Sequence, residues 1–584
     1  MEIEVEKKVL NATEAMALYE QGKDKWNAWI DDNQDWSIDF RGYEFLEKID
    51  FCDFKFRNVC FHKVNFSQGA IFTRAIFLGV TIFSEAKFHS CGKFNGSKFS
   101  GVADFSTIKI FENADFNGSE FSCDCTFENS EVGEFSFRSV KVGKKANFKH
   151  FIAFVNCYFT YSIFHGIADF SSGKFHGDAN FSSSRFFSIS IFKKCEFYGA
   201  GYFSNIEFSS SASFTNVVCH GESSYVKSIF HERADFLDAE YREYCGFNEV
   251  EFKWMANFTR TNFGDDVSFV LSRFSIYSYF VETECHSNFN LSRCFFEKDV
   301  DFSNMKISGV FNVINSKFLG SANLTKCTFV GDVAFDKTIF YKNVVFINSS
   351  FESDSSFLEA KFLSDEAGVD FGCVVFEKKV NMSETYFEVV PDFRFVIIKE
   401  GFYFYGVKVR YSACDDSWRK EAKHKNDADR YCKLKEMAIE AKDVDAEKRF
   451  FSYELRAKRF HHFDGSFDLG TNFCYDWFSD YGLSLKKPIV WLFMIYAFCT
   501  VFFQHIFSVN NDYDSWSAAS NMSFSQLFPF LGMSRTSREN ILSSLPCGGE
   551  ELSPWFYILG YTENILGIIF IFLVGLALRN RFKI

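Results

Sequence analysis

The chain has 584 residues, of which 47% are apolar, and its 63 basic and 76 acidic side chains leave a net charge of −13. The acidic balance argues against broad nucleic-acid binding, which needs a basic footprint. The 83 Phe against five Pro exclude a disordered chain, because disorder is poor in aromatics and rich in proline. The first proline is Pro391, so every backbone N–H before it is free to enter a hydrogen-bond ladder. The 18 cysteines are scattered, without a CxxC pair and with one CxC, Cys123 and Cys125. That spacing suits neither a zinc site nor a disulfide scaffold, and they read as free buried thiols of a reducing cytoplasm. The opening MEIEVEKKVL is charged and has no apolar core, so no secretory signal is expected.

Residues 11–30 read as one helix begun at Thr13, with Met16, Leu18, Tyr19, Trp26 and Trp29 as its apolar contacts. Residues 1–35 are therefore expected to cap whatever follows.

A repeat dominates residues 36–411. Phe falls at 51, 56, 61 and 66, then alternates six and five residues apart through 72, 77, 83, 88, 94, 99 and 105. The period is eleven. After a slip near 128–147, one ladder runs in steps of eleven from Phe148 to Phe357, broken only by Tyr225, Leu291, Val313 and Leu324. A second ladder, offset by five, runs from Ala153 to Phe362, with Cys219, Tyr241, Cys285 and Ile307 as its other exceptions. A second slip lies near 358–370. Two residues before most ladder positions stands a small residue, such as Ala168, Ala179 or Cys195. Neither a helix nor a strand has a five/six period. Stacked coils do, each short unit making one face and turning a corner, so that Phe stacks on Phe at the inter-strand spacing.

The small–polar–Phe–polar–variable unit resembles the pentapeptide repeat, whose usual form is Ala-Asp/Asn-Leu-x-x. The segment QGKDKWNAWI is similar to the one found before many such arrays. The resemblance implies an all-β right-handed quadrilateral β-helix, here Phe-centred and built from 5+6 residue units. A coil then holds 22 residues, with the extra residues bulging at two corners. The array should make roughly 16 coils in a rod of about 75–80 Å, with loops or kinks at the two slips.

After Tyr411 the period vanishes. Residues 412–485 read as a helical linker: DADRYCKLKEMAIEAKD and DAEKRFFSYELRAKRFHH form two helices joined near 443–445, and CYDWFSDYGLSLKKP has the look of a membrane-interface segment. Residues 486–584 read as a two-span membrane domain. One apolar run extends from Pro488 to Val509 and a second from Trp555 to Leu578, each about the 20 residues a bilayer requires. Lys486 and Lys487 precede the first; Arg579, Arg581 and Lys583 follow the second. Basic flanks belong on the cytoplasmic side. The β-helix and both termini are therefore expected in the cytoplasm, and residues 510–554 outside, as a re-entrant-like segment containing Gln526, Pro529 and Phe530. The segments RFFSYELRAKR, FSDYGLSLKKP and FLVGLALRNRFKI resemble a bacterial group of membrane-bound pentapeptide-repeat proteins with a two-span, channel-like C-terminus.

Gly560, Glu563, Asn564 and Gly567 share one small, polar face of the second run, a candidate pore or helix-packing face. No GxSxG, GxxxxGK[ST] or HExxH motif occurs, and His165 and His176 sit at ladder-adjacent surface positions. No catalytic residue, cofactor or metal is expected. The expected function is a non-enzymatic scaffold or sensor in the inner (plasma) membrane. Its partners would be the lipid bilayer, a homo-oligomer, and a cytoplasmic protein or ligand. The alternative is an oligomeric ion-conducting channel gated by the β-helix. A duplex mimic that binds topoisomerases is disfavoured, because residues 36–411 hold 39 basic and 46 acidic side chains, a weak surplus for so long a rod.

Overall fold

The computed structural model describes residues 8–366, 368–411, 413, 422–459, 461, 465–510, 516–544 and 553–582. Lys583 lies outside them. The chain divides into two compact units, Met1–Arg410 and Tyr411–Ile584.

The first unit is a β-solenoid. Its strands are mostly two residues long and pair in parallel with the coils before and after, as in Thr81↔Ala103↔Cys125. Four strands make one coil. One face stacks 17 strands, one per turn, so the array has 17 turns against the roughly 16 expected. From Ala146 to the second slip the register is 22 residues: Ala146↔Ala168↔Ser190↔Ala212.

The core is a set of Phe stacks. Phe148, Phe170 and Phe192 lie one above another, ring centroids 4.9 Å apart and planes within 7°. Phe159, Phe181 and Phe203 form the neighbouring stack, whose rings meet the first edge-on: Phe170–Phe181 is 5.3 Å at 84°. Both geometries suit the ring quadrupole. Tyr225 and Tyr241 interrupt the two ladders as a pair, their buried hydroxyls 3.1 Å apart and satisfying each other.

Two corners of each 22-residue coil carry the sixth residue. The other two are tight turns. Phe181 O accepts from the Ser184 N–H at 3.2 Å, and Ser183 between them has φ +61°. Positions two residues after a ladder Phe repeat this left-handed backbone at Lys194, Asn205 and Leu271; Asn tolerates it, but local preference would not select it for Lys or Leu. Beneath these corners runs a buried row of hydroxyls and thiols. Ser130, Cys195, Thr261 and Cys327 each donate to a carbonyl of the preceding coil, at 2.7 to 3.0 Å. Burial pushes the Cys327 thiol up to about 12, so it is a packing group and not a nucleophile.

The first slip is neither a loop nor a kink. Lys109–Asp115 and Glu131–Ser136 are longer strands that pair straight through it, with a register shift between Ile110 and Asn113. Gly133 takes the place of two residues, where a Cβ would stand 2.2 Å from Glu112 O. At the second slip a coil lengthens to 25 residues, as in Phe362↔Phe387, with the surplus between Phe362 and Asp370.

The N-terminal segment is two helices instead of the expected one, α1 (Ala12–Tyr19) and α2 (Lys23–Asp32). Gly22, at φ +95°, separates them, and Asn11 and Glu14 form a capping box ahead of α1. Trp26 is fully buried and donates its indole N–H to Lys55 O at 2.7 Å. Tyr19 meets Phe51 at 5.1 Å, and Trp26 meets Phe54 and Phe56, so the helices cover the open end of the first coil.

The second unit is helical: α3 (Asp427–Glu440), α4 (Val444–Lys458), α5 (Ser466–Ser479), α6 (Lys486–Asn510), α7 (Trp516–Leu527), α8 (Gly532–Ser544) and α9 (Pro554–Phe582). Helices α3 and α4 bury Tyr431, Leu434, Met437, Phe450 and Ala457, and Tyr453 is half-buried beside them. The stretch 474–488 is not one uniform element. It contains the end of α5, a turn with Asp480, Tyr481 and Gly482 all at positive φ, and the start of α6. Helices α6 and α9 are long and apolar enough to cross a membrane, and most of their apolar surface faces away from the protein.

Candidate functional site

Helix α9 carries the face singled out in the sequence, and the structure turns it toward α7. Gly567 allows the closest approach, since a Cβ there would lie 2.4 Å from Leu527 O. Gly560 sits under the Gln526 side chain, which accepts from Arg538 at 3.2 Å. Between the glycines, Glu563 is buried and its Oε1 accepts from Ser523 Oγ of α7. Cys499 of α6 lies beside the same carboxyl. Tyr496 of α6 shares a hydrogen bond with Ser520 at 2.6 Å. A thin polar seam thus joins α6, α7 and α9 within an apolar cluster of Phe503, Phe507, Ala519, Met522 and Phe556. The structure brings Gly560, Glu563, Gly567 and Gln526 together. Asn564 stands half-buried at the edge, and Pro529 and Phe530 lie in the turn after α7, Phe530 exposed. The arrangement fastens a short helix between two long ones.

A second constellation lies between α4 and α5, and no sequence motif announced it. Arg459 is 2% exposed and donates to Asn472 at 2.9 Å, to Asp476 at 2.7 Å and to the Tyr481 hydroxyl at 2.7 Å. Phe473 faces its guanidinium at 4.2 Å. Arg456 binds Asp476 at 2.8 Å and also Asp480. Burial alone would raise the Asp476 carboxyl, but the hydrogen bonds from Arg456 and Arg459 overcome it and hold the group down at about 2. Burial raises Tyr481 to about 12, which keeps its hydroxyl a donor. The only sequence signal was the pairing of RAKRFHH with CYDWFSDYG, basic-aromatic followed by acidic-aromatic.

On the solenoid, His176 stacks between Phe154 and Tyr198 at 5.6 and 4.7 Å, and His165 stacks on Phe187 at 5.1 Å. These histidines belong to outer aromatic rows, with the same coil-to-coil partnership as the core. Among the described residues no group of three or more His, Cys, Asp or Glu is placed to hold a metal ion.

Residues 159–207 match the family model for pentapeptide repeats (9 copies). The pentapeptide-repeat match covers a stretch where the 22-residue register is uninterrupted, and the same coil geometry continues on both sides of it. Neither a curated protein nor a solved structure matches the chain significantly.

Proposed function

We propose that this chain is a non-enzymatic scaffold or sensor held in a bacterial inner membrane by α6 and α9, with the solenoid and both termini in the cytoplasm. The observation that carries the reading is the outward apolar surface of these two helices. Phe493, Phe498, Val501, Tyr561, Ile565 and Phe572 are all exposed on them. A belt of this length is unfavourable in water and matches a hydrocarbon core of about 30 Å. Lys486 and Lys487 at the start of α6 and Arg579 and Arg581 at the end of α9 support this orientation. The solenoid then offers partners four long faces whose outer side chains form coil-to-coil ion pairs, such as Lys174–Glu196 at 3.3 Å and Arg260–Asp238 at 2.6 Å. Such pairs add little stability and set the charge pattern that a partner reads. Proteolysis tests the topology: the solenoid should survive protease added to spheroplasts and be cut in inverted vesicles. Cleavage in spheroplasts, or a chain recovered in the soluble fraction, sinks the reading.

The runner-up, an oligomeric channel gated by the solenoid, draws on α7. A short helix fastened between two long apolar ones is a layout in which irregular backbone is tolerated beside water. A conducting oligomer should lose or change its conductance in Glu563→Leu, which removes the hold on Ser523. A monomer by light scattering in detergent leaves no pore to line.

A further inference from the structure

Helix α5 buries three polar side chains, Asn472, Asp476 and Ser479, and leaves Phe467 and Trp477 outward, 80% and 62% exposed, beside the exposed Asp468 and Thr471. Arg456 and Arg459 of α4 supply partners to the buried Asn472 and Asp476. Phe478 of the same helix packs inward on Trp491 and Phe570. Two outward aromatics among polar residues, on a helix just ahead of an apolar span, suit the headgroup layer of a bilayer, where aromatic side chains collect.

Beside α5 a cavity of about 460 Å³ opens between α4, the turn after Asp480 and the last turn of α9. Lys448, Arg449 and Arg456 line it from α4 and Arg581 from α9, against the carboxylates of Asp445 and Asp480. Asp480 is already claimed, bound by Arg456 and 3.9 Å from Lys487. Lys448 donates to the main-chain oxygen of Asn580, a neutral acceptor, and forms no ion pair among the described residues. Arg581 is exposed and forms no ion pair among the described residues. The pocket therefore carries a surplus of positive charge. Its position is equally specific. It contains Leu485, one residue before α6, and Asn580 in the last turn of α9, so both apolar helices end at its mouth. An anion seated here has hydrocarbon surface directly beneath it.

We propose that this pocket binds the phosphate of an anionic membrane lipid, with α5 lying in the headgroup layer beside it. The proposal rests on the membrane reading above and adds the ligand and the residues that hold it. Lys448 and Arg581 supply the charge, as basic pockets at the cytoplasmic ends of spanning helices do. The acyl chains run along α6 and α9.

Native mass spectrometry of the full chain, released from detergent and titrated with dioleoylphosphatidylglycerol, dioleoylphosphatidylcholine or inorganic phosphate, tests the site. Phosphatidylglycerol should bind about tenfold or more tighter than phosphatidylcholine and should resist millimolar inorganic phosphate. Arg581→Gln should weaken it about fivefold, and Lys448→Gln with Arg581→Gln about twenty-five-fold. Equal binding of the two lipids, or double-variant binding at the wild-type level, overturns the pocket. Displacement by inorganic phosphate overturns the lipid source in favour of a soluble phosphate ligand. Should the double variant not fold, Arg581→Gln, an exposed substitution, carries the test. Alkaline carbonate washing of membranes separates the two levels. Release of the wild-type chain sinks the anchoring itself, whereas retention together with equal lipid binding sinks the pocket alone.

Discussion

In the solenoid, the partner of an inward side chain lies one coil away, 22 residues along the chain for most of its length. In the helical unit the decisive partners lie at irregular separations: Arg459 with Asp476, Ser523 with Glu563, Lys448 with Asn580. The first kind of contact repeats, so an error at one position is felt by every later one. The second kind is made once, by a pair that nothing else in the chain duplicates. The contrast teaches where each region is fragile: register in the solenoid, individual polar partnerships in the helical unit.

The largest effect should come from breaking register. Deleting Ser182 moves every later Phe off its stack, and the chain should fail to accumulate as folded protein. Deleting Ser364, in the lengthened coil, should be absorbed. Equal yields and equal melting of the two deletions would show that the 22-residue register is not structural. Next comes the stack itself. Phe181→Ala should cost about 3–5 kcal/mol in denaturant unfolding, through the cavity it leaves between Phe159 and Phe203. Phe181→Leu should cost much less, and near-zero loss in both would refute the inward stack.

The helical unit should show its own signature in acid. The Asp476 carboxyl is held below its unfolded value, so its contribution is complete above about pH 4 and is lost as pH falls toward 2. That contribution is about 2 kcal/mol. Asp476→Asn should lower stability at neutral pH and flatten the acid limb of the helical unit's unfolding. An unchanged limb would remove the carboxylate from the network. The smallest effect tests a place where the solenoid behaves like the helical unit. Tyr225→Phe alone should cost about 1 kcal/mol, by leaving the buried Tyr241 hydroxyl without its partner. Tyr225→Phe with Tyr241→Phe should restore nearly all of it. Additive losses in the pair would mean that the hydroxyls do not satisfy each other.

Much of this architecture was legible beforehand because periodic burial writes a periodic sequence. The eleven-residue ladders, the small residues before them and the scarcity of proline each state one requirement of stacked coils. The turn after each Phe was not legible. Ser183, Lys194 and Leu271 hold a left-handed backbone that their side chains disfavour, and the coils above and below impose it. Gly133 shows the same limit, since it reads as an ordinary glycine until the strand beneath it places Glu112 O where a Cβ would be. Glu563 stood out as an ionisable residue in an apolar run, but neither Ser523 nor Cys499 could be named as its neighbours.

By itself, then, the sequence determined the stacked-coil class, the repeat length, the inward Phe and the two apolar helices, because each is a matter of composition or of short-range spacing. Only the tertiary structure decided that Tyr225 and Tyr241 answer each other, that α5 buries Asn472, Asp476 and Ser479, and that the Glu563 face meets α7. Those outcomes depend on which distant groups arrive together. A buried polar atom takes whatever partner the fold delivers, and no periodicity in the chain records that choice.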